Sequence, residues 1–261
     1  MTYETIETDQ DGGAFVLKLH RPECRNAINL QLMDDVEAAI ATASADPGVA
    51  GVIITGGDQY FSAGADLNEA LQMMDTVAHR LSYTARWRRL NNVLETCPKP
   101  IIAAVEGFCM TGGCELALAC DIRVAGEGSR FAITSSRIGT VPGGGGTQRL
   151  PRIVGVGNAF EILFSGDPID AAHALRIGLV NRVAPAGQAL AEAKSMVRVY
   201  EQRAPLSLQL LKRTVYAGIE MSLSDAIEFE SFVVNTIAET RDRQEGITAF
   251  LEKRKPVFKG E

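Results

Sequence analysis

The chain is patterned by short, wholly apolar runs, each followed by small residues and then by a helical period. Ile101–Val105 is a continuous β-branched and alanine run between Pro100 and Glu106-Gly107, as expected of a strand covered on both faces. Residues 49–55 have the same character and end at Gly56-Gly57, and residues 121–125 read as another short strand. Nearer the N-terminus, residues 3–8 and 14–19 predict two strands around the turn at Asp11-Gly12-Gly13. Asn29 predicts a helix cap, with Leu32, Met33, Val36, Ile40 and Ala43 at helical spacing and Asp46-Pro47-Gly48 as the stop. Residues 70–96 predict one or two helices whose apolar stripe, Leu71, Met74, Val77, Leu81, Trp87, Leu90 and Val93, reads as core.

From residue 155 onward the pattern is nearly all helical. Asp170 opens a helix that ends at Gly178, residues 179–183 form a short strand, and helices follow near 186–201, 205–217, 222–237 and 242–254. Pro205 suits a first turn and Gly218 an end, while Ser222 with Asp225 and Asp242 with Glu245 suit helix starts. The stripe Ala226, Ile227, Phe229, Val233, Val234 and Ile237 needs a surface to pack on, which predicts a subunit partner.

The chemistry concentrates where Ile101–Val105 gives way to Met110-Thr111-Gly112-Gly113-Cys114-Glu115. Paired glycines at a strand-to-helix turn let backbone approach a ligand, and the helix start leaves N–H groups unpaired in a positive field. Such a place can hold a developing oxyanion, and Glu115, about one helical turn beyond Gly112, is a candidate base beside it. A capping role competes. Thr111 and Glu115 miss the capping-box register by one residue, but a Gly112 cap with Glu115 at the third helical position fits. A second small-residue turn, Ser62-Ala63-Gly64-Ala65-Asp66, also follows a strand, and Asp66 with Glu69 has cap spacing. Two such turns can supply two backbone donors to one oxygen.

Composition narrows the field. With 261 residues and 46% hydrophobic content the chain can bury a large core. A net charge of −6 argues against nucleic acid or an anionic membrane as partner. No apolar run is long enough for a bilayer and Met1-Thr2-Tyr3-Glu4 has no leader character, so a cytoplasmic protein is expected. The five cysteines, Cys24, Cys97, Cys109, Cys114 and Cys120, have no C-x-x-C spacing and no nearby histidine, so reduced, buried thiols and no metal site are expected. The glycines of residues 139–149 lack the Gly-Lys-Ser/Thr of a phosphate loop and the fingerprint of a dinucleotide site, so they read as a tight start to a helix. No G-x-S-x-G elbow is present.

FSAGADL at residues 61–67, Gly112-Gly113-Cys114-Glu115-Leu116-Ala117 with Cys120-Asp121, GTVPGGGGTQRLPR at 139–152, ALRIGLV at 174–180 and EGITAFLEKRKPVF at 245–258 occur together. In this combination the chain resembles the enoyl-CoA hydratase/isomerase (crotonase) family over almost its whole length. The resemblance implies an α/β fold, a spiral of ββα units over residues 1–200, with a helical C-terminal region over 201–261 that forms trimers or dimers of trimers. It implies an acyl-coenzyme A thioester substrate, with no other cofactor, whose thioester oxygen is held by the N–H groups of Ala65 and Gly112. Glu115 matches the glutamate that activates water. Coenzyme A would lie against Arg25 of the basic loop and against Ser62, Ala63, Asp66 and Leu67, with Phe250 and Lys253 reaching it from a neighbouring subunit. Lys253-Arg254-Lys255 is a basic cluster suited to phosphate, or else a solvated helix end. With an acyl substrate, the methionines and Trp87 of residues 70–96 could instead line its pocket.

One departure stands out. The second family glutamate falls at Ser135, and a serine can hydrogen-bond a water but cannot act as a carboxylic acid. A hydratase working with one glutamate is therefore expected; an isomerase, a thioester hydrolase and a non-catalytic acyl-CoA-binding protein are the alternatives.

Overall fold

The computed structural model describes residues 3–261; Met1 and Thr2, which open the expected core region, lie outside the described residues. The apolar runs become strands of a repeated strand–strand–helix unit. β1 (Ile6–Asp11) and β2 (Ala14–Leu19) form an antiparallel hairpin and lead into α1 (Leu30–Ala45). β3 (Gly51–Thr55) and β4 (Tyr60–Ser62) precede α2 (Leu67–Gln72) and α3 (Val77–Thr96). β5 (Ile101–Val105) and β6 (Phe108–Met110) precede α4 (Gly112–Ala119), and β7 (Ile122–Gly126) and β8 (Arg130–Ala132) precede α5 (Gly146–Val154) and α6 (Val156–Ser165). β9 (Ile169–Asp170), α7 (Ala171–Arg176), β10 (Arg182–Ala184) and α8 (Ala189–Tyr200) follow, then α9 (Pro205–Gly218), α10 (Leu223–Ile237) and α11 (Arg241–Leu251).

The first strand of each unit, together with β2 and β10, forms a six-stranded sheet ordered β1-β2-β3-β5-β7-β10, parallel except for the β1–β2 pair. One face packs Ile53, Ile102, Ala104 and Val124 against Ala189, Ala193 and Val197 of α8. The other packs Leu17, Ile54, Ala103 and Val105 with Leu32, Val36 and Ile40 of α1. Cover on both faces is why β3 and β5 carry no polar alternation.

The second strands of the later units, β4, β6 and β8, run parallel and form with β9 a four-stranded sheet ordered β4-β6-β8-β9. This small sheet positions the site. Its parallel strands end on one edge, so the segments that follow Ser62, Met110 and Ala132 start side by side.

Caps fall largely where expected. Asn29 Oδ1 accepts the Leu32 amide at 2.9 Å, Asp170 that of His173 at 2.8 Å, and Ser222 that of Asp225 at 3.3 Å. Four expectations are corrected. β1 covers 6–11 rather than 3–8, because the Glu4 and Thr5 amides turn onto Asp35 Oδ2 at 3.0 and 2.8 Å. The expected strand at 179–183 forms only over Arg182–Ala184, since the Leu179 and Val180 amides close a turn onto Ala174 O. The last helix is capped by Thr240; Asp242 lies inside it, buried, accepting the Lys259 and Gly260 amides at 2.7 Å each. In the stripe of residues 70–96, Trp87 and Leu90 are core, whereas Leu71, Met74, Val77 and Leu81 are exposed. Periodicity identified an amphipathic face there but not what it faces.

Cys97, Cys109, Cys114 and Cys120 are buried free thiols, and Cys24 is half-buried and free. The C-terminal helices attach through a partly buried ion pair: Lys212 Nζ and Tyr216 Oη of α9 reach the two carboxylate oxygens of Asp121, each at 2.9 Å. No helix among the described residues is long and apolar enough to cross a membrane.

Candidate active site

The turn after β4 is pinned by the basic loop before α1. Ile28 N–H donates to Gly64 O at 2.7 Å and Asp66 N–H to Ile28 O at 2.9 Å, an isolated parallel bridge that leaves the Ala65 amide between them unused. Ser62 Oγ donates to Asn26 O at 2.7 Å and accepts the Gly64 amide at 3.1 Å. Gly64 takes φ 105°, where an L side chain is strained, and a Cβ on it would stand 3.0 Å from Met110 O.

Beside this turn, Thr111 caps α4 and Gly112 is its first residue, which corrects the expected Gly112 cap by one position. A Cβ on Gly112 would fall 3.0 Å from the Ala65 nitrogen and 2.6 Å from Trp87 Cη2, so only glycine lets the two backbones touch. Neither the Ala65 nor the Gly112 N–H finds an acceptor among the described residues. Two free amides thus sit on adjoining backbone at the start of a helix, a local positive field.

Glu115, one turn along α4, is buried, with 3% of its surface exposed. Its Oε1 accepts the amides of Gly144 and Gly146 at 2.7 and 2.8 Å, while Oε2 has no hydrogen-bond partner among the described residues. Burial raises the Glu115 pKa above the ordinary 4.5, against the two loop amides and Arg149, which act to lower it. The carboxylate is therefore held by one oxygen and presented by the other, with its proton affinity increased.

The glycine-rich loop does more than start a helix. Asn91 of α3 donates to Gly144 O, and so does Arg149 Nη1 at 3.3 Å; Arg149 is itself anchored to Glu95 at 2.6 Å. The loop peptide is gripped on its carbonyl side by α3 and α5 and on its amide side by Glu115. A cavity of about 500 Å³ lies next to it, lined by Leu81, Arg88, Asn91 and residues 143–145. A larger one, about 940 Å³, lies near Asp121, Lys212 and Tyr216, and none of the residues expected to act lines it. Ala65, Gly112, Glu115 and Ser135 do not line the smaller cavity either; they belong to the segments that start at the small-sheet edge.

Ser135 follows β8, on the far side of β6 from β4, and begins a short 3₁₀ turn over Ser135–Ile138. It is buried, and its hydroxyl has no hydrogen-bond partner among the described residues. The three segments carrying Ala65, Gly112 and Ser135 thus follow adjacent strands.

Among the expected coenzyme A contacts, Ala63, Arg25 and Leu67 are exposed near this edge, and the Ala63 amide donates to Arg25 O at 2.9 Å. Asp66 caps α2 and pairs with Arg21 at 3.1 Å, as its spacing predicts. The Ser62 side chain is fully buried, its hydroxyl bonded on both sides, so it braces the turn and does not reach a ligand. Phe250 is 83% exposed, and no hydrogen bond or ion pair among the described residues ties Phe250 or Lys253 to the small-sheet edge. The basic cluster is smaller than expected, because Arg254 is committed to Glu245 at 2.6 Å and Glu252 at 2.7 Å. No group of His, Cys, Asp or Glu among the described residues has the arrangement of a metal site.

Sequence reasoning missed Gly144 and Gly146 as holders of Glu115, and Asn91 and Arg149 as holders of the Gly144 carbonyl. The only signal was the density of glycine, which cannot say whose amides point at what.

A family profile described as enoyl-CoA hydratase/isomerase matches residues 9–261. The chain is 38% identical to a crotonyl-CoA hydratase of Syntrophomonas wolfei over 259 residues, 99% of each chain. It is 36% identical to a short-chain-enoyl-CoA hydratase of Clostridium acetobutylicum over 256 residues, 98% of this chain and 97% of that one. Its fold superimposes on a crystal structure of enoyl-CoA hydratase from Bacillus anthracis with a TM-score of 0.94 at 33% identity, covering 99% of this chain and all of that one. A profile spanning nearly the whole sequence, full-length relatives and the shared ββα spiral agree: this chain belongs to the enoyl-CoA hydratase/isomerase family, the crotonase fold.

Proposed function

We propose that the protein is an enoyl-CoA hydratase that adds water across the 2,3 double bond of an acyl-CoA thioester with a single glutamate. One observation carries the reading: two unused amides on adjoining backbone stand at the start of the helix that carries a buried glutamate with one oxygen held and the other unpaired. The full-length likeness to proteins named enoyl-CoA and crotonyl-CoA hydratases supports it.

In this reading the thioester oxygen sits on the Ala65 and Gly112 amides. Water attacks C3 as Glu115 Oε2 takes one of its protons, and the electron pair of the double bond moves toward the thioester oxygen. There the two amides stabilise the enolate; losing one such donor costs about 3–4 kcal/mol. Glu115, now protonated, returns its proton to C2, and the product is a 3-hydroxyacyl thioester. A carboxyl whose pKa is raised by burial is suited to both halves of this transfer. Ser135 orients the attacking water through its hydroxyl and carries no charge in the step.

Coenzyme A lies along Arg25, Ala63, Asp66 and Leu67, with Phe250 and Lys253 supplied by a neighbouring copy in a trimer or dimer of trimers. The bare apolar side chains of α10 and α11, among them Ile227, Phe232, Val234 and Leu251, support that assembly. Four buried free thiols suit a reducing compartment such as the cytoplasm. Loss of enoyl-thioester absorbance on mixing the protein with 2-butenoyl-CoA tests the reading. Tight coenzyme A binding without turnover over several chain lengths would overturn it in favour of a binding module.

A further inference from the structure

Thr111 sits at φ 42° and ψ −106°, a conformation that a β-branched residue takes only under constraint. A helix-capping threonine is normally extended and turns its hydroxyl onto the amides of the first turn. Thr111 does neither. Its Oγ1 lies 2.7 Å from Thr134 Oγ1 and accepts the Thr134 amide at 3.1 Å, and it makes no bond to its own helix. The backbone of the residue is fixed on both sides, its N–H donating to Ala132 O at 2.7 Å and its C=O accepting the Glu115 N–H at 2.8 Å.

The ψ of a residue sets the plane of the peptide after it, and for Thr111 that peptide carries the Gly112 N–H. Relaxing Thr111 to an ordinary capping conformation turns this plane and swings the Gly112 N–H off the Ala65 backbone. It also releases the hydroxyl to cover the amides at the helix start. The first change breaks up the pair of free donors, while the second only covers the Gly113 and Cys114 amides and so favours the relaxed conformation. The Thr134 hydroxyl opposes them, and it belongs to the residue immediately before Ser135.

We infer that Thr111 is a positioning residue: backbone strain, held in place by the Thr134 hydroxyl, aims the Gly112 amide at the substrate oxygen and ties that aim to the Ser135 segment. This rests on the reading above, in which the Gly112 amide binds a thioester oxygen.

The test compares Thr134→Val, which removes the hydroxyl at nearly constant shape, with Thr111→Gly, which accepts φ > 0 without strain, and with the double variant. Hydration kcat and KM, melting temperature, and the infrared carbonyl band of a bound saturated acyl-CoA are measured for each and for the unaltered protein. Thr134→Val is expected to lower kcat about tenfold or more at little-changed KM, and to move the carbonyl band back toward its free position. Added to Thr111→Gly, the same substitution is expected to lower kcat by less than about twofold, because there is no strain left to hold. Equal losses in the two backgrounds, or a loss that follows melting temperature with the band unmoved, give the pair a purely structural role and overturn the inference. If the unaltered protein hydrates the thioester and shifts its carbonyl while Thr134→Val matches it, the inference falls and the functional reading stands. An unaltered protein that does neither removes both.

Discussion

Replacing Glu115 by Gln separates the two tasks of that carboxylate. Oε1 takes both loop amides, at 2.7 and 2.8 Å, and a carboxamide oxygen in its place can accept the same pair. The Gly144–Gly146 loop is therefore expected to keep its position. Only the proton acceptor at Oε2 is lost. A general base contributes about 10²–10⁴-fold, or about 2.7–5.4 kcal/mol of barrier, so kcat for hydration of 2-butenoyl-CoA should fall at least about a hundredfold. KM should change little, because the thioester oxygen still has its two amides. Stability should move the other way. Burial raises the Glu115 pKa above the ordinary 4.5, so its contribution to folding is fully present below that value and is lost as pH rises through the raised one. Glutamine carries no charge into the site. The variant should melt at or above the temperature of the unaltered protein at mildly alkaline pH, with the gap closing as the solution is acidified. Absorbance kinetics and thermal melts on the same preparations give both numbers. A variant within tenfold of the original kcat, or one that loses activity because it has lost its fold, would refute the separation of roles.

Three further outcomes follow from the geometry. The acidic limb of the kcat/KM profile should lie above 4.5, with activity falling as pH drops through it, because burial makes protonated Glu115 easier to form; a limb at or below that value contradicts the buried setting. Ser135→Ala should reduce kcat by less than about tenfold, since a hydroxyl orients water without taking its proton; a larger loss at unchanged melting temperature makes Ser135 a principal participant. Lys212→Met should destabilise the protein by about 1–3 kcal/mol in denaturant titrations, because it leaves the partly buried Asp121 without its cation while Tyr216 and the Ile101 amide still bond to it, and a loss below about 0.5 kcal/mol would show the pair to be dispensable.

The fold was legible wherever an element carries its own reason. Ile101–Val105 is covered on both faces and so reads as an unbroken apolar run, and Asn29 and Asp170 mark helix starts by a local bond that needs no distant partner. What depends on contacts far along the chain was not legible. Asp242 has the spacing of a helix-start residue, yet it lies inside the helix because the returning C-terminal segment presents the Lys259 and Gly260 amides to it. Leu71 and Leu81 share a period with Trp87, but only Trp87 meets the α4 turn. The close backbone approach at the small-sheet edge was legible because small residues after strands announce it, whereas Ala65 and Ser135 were singled out by the family resemblance. The supports of the reaction centre were not legible: nothing local marks Gly144 and Gly146 as the amides that hold Glu115, or shows that the Thr111 hydroxyl serves Thr134 rather than its own helix.

The most direct measurement is a turnover of 2-butenoyl-CoA in heavy-oxygen water, followed by mass spectrometry of the intact thioester and of its acyl fragment. The account predicts one added water, its heavy oxygen on C3, with the thioester bond intact and one solvent hydrogen on C2. Heavy oxygen in a free carboxylate with release of the coenzyme A thiol, or movement of the double bond without oxygen uptake, would contradict it.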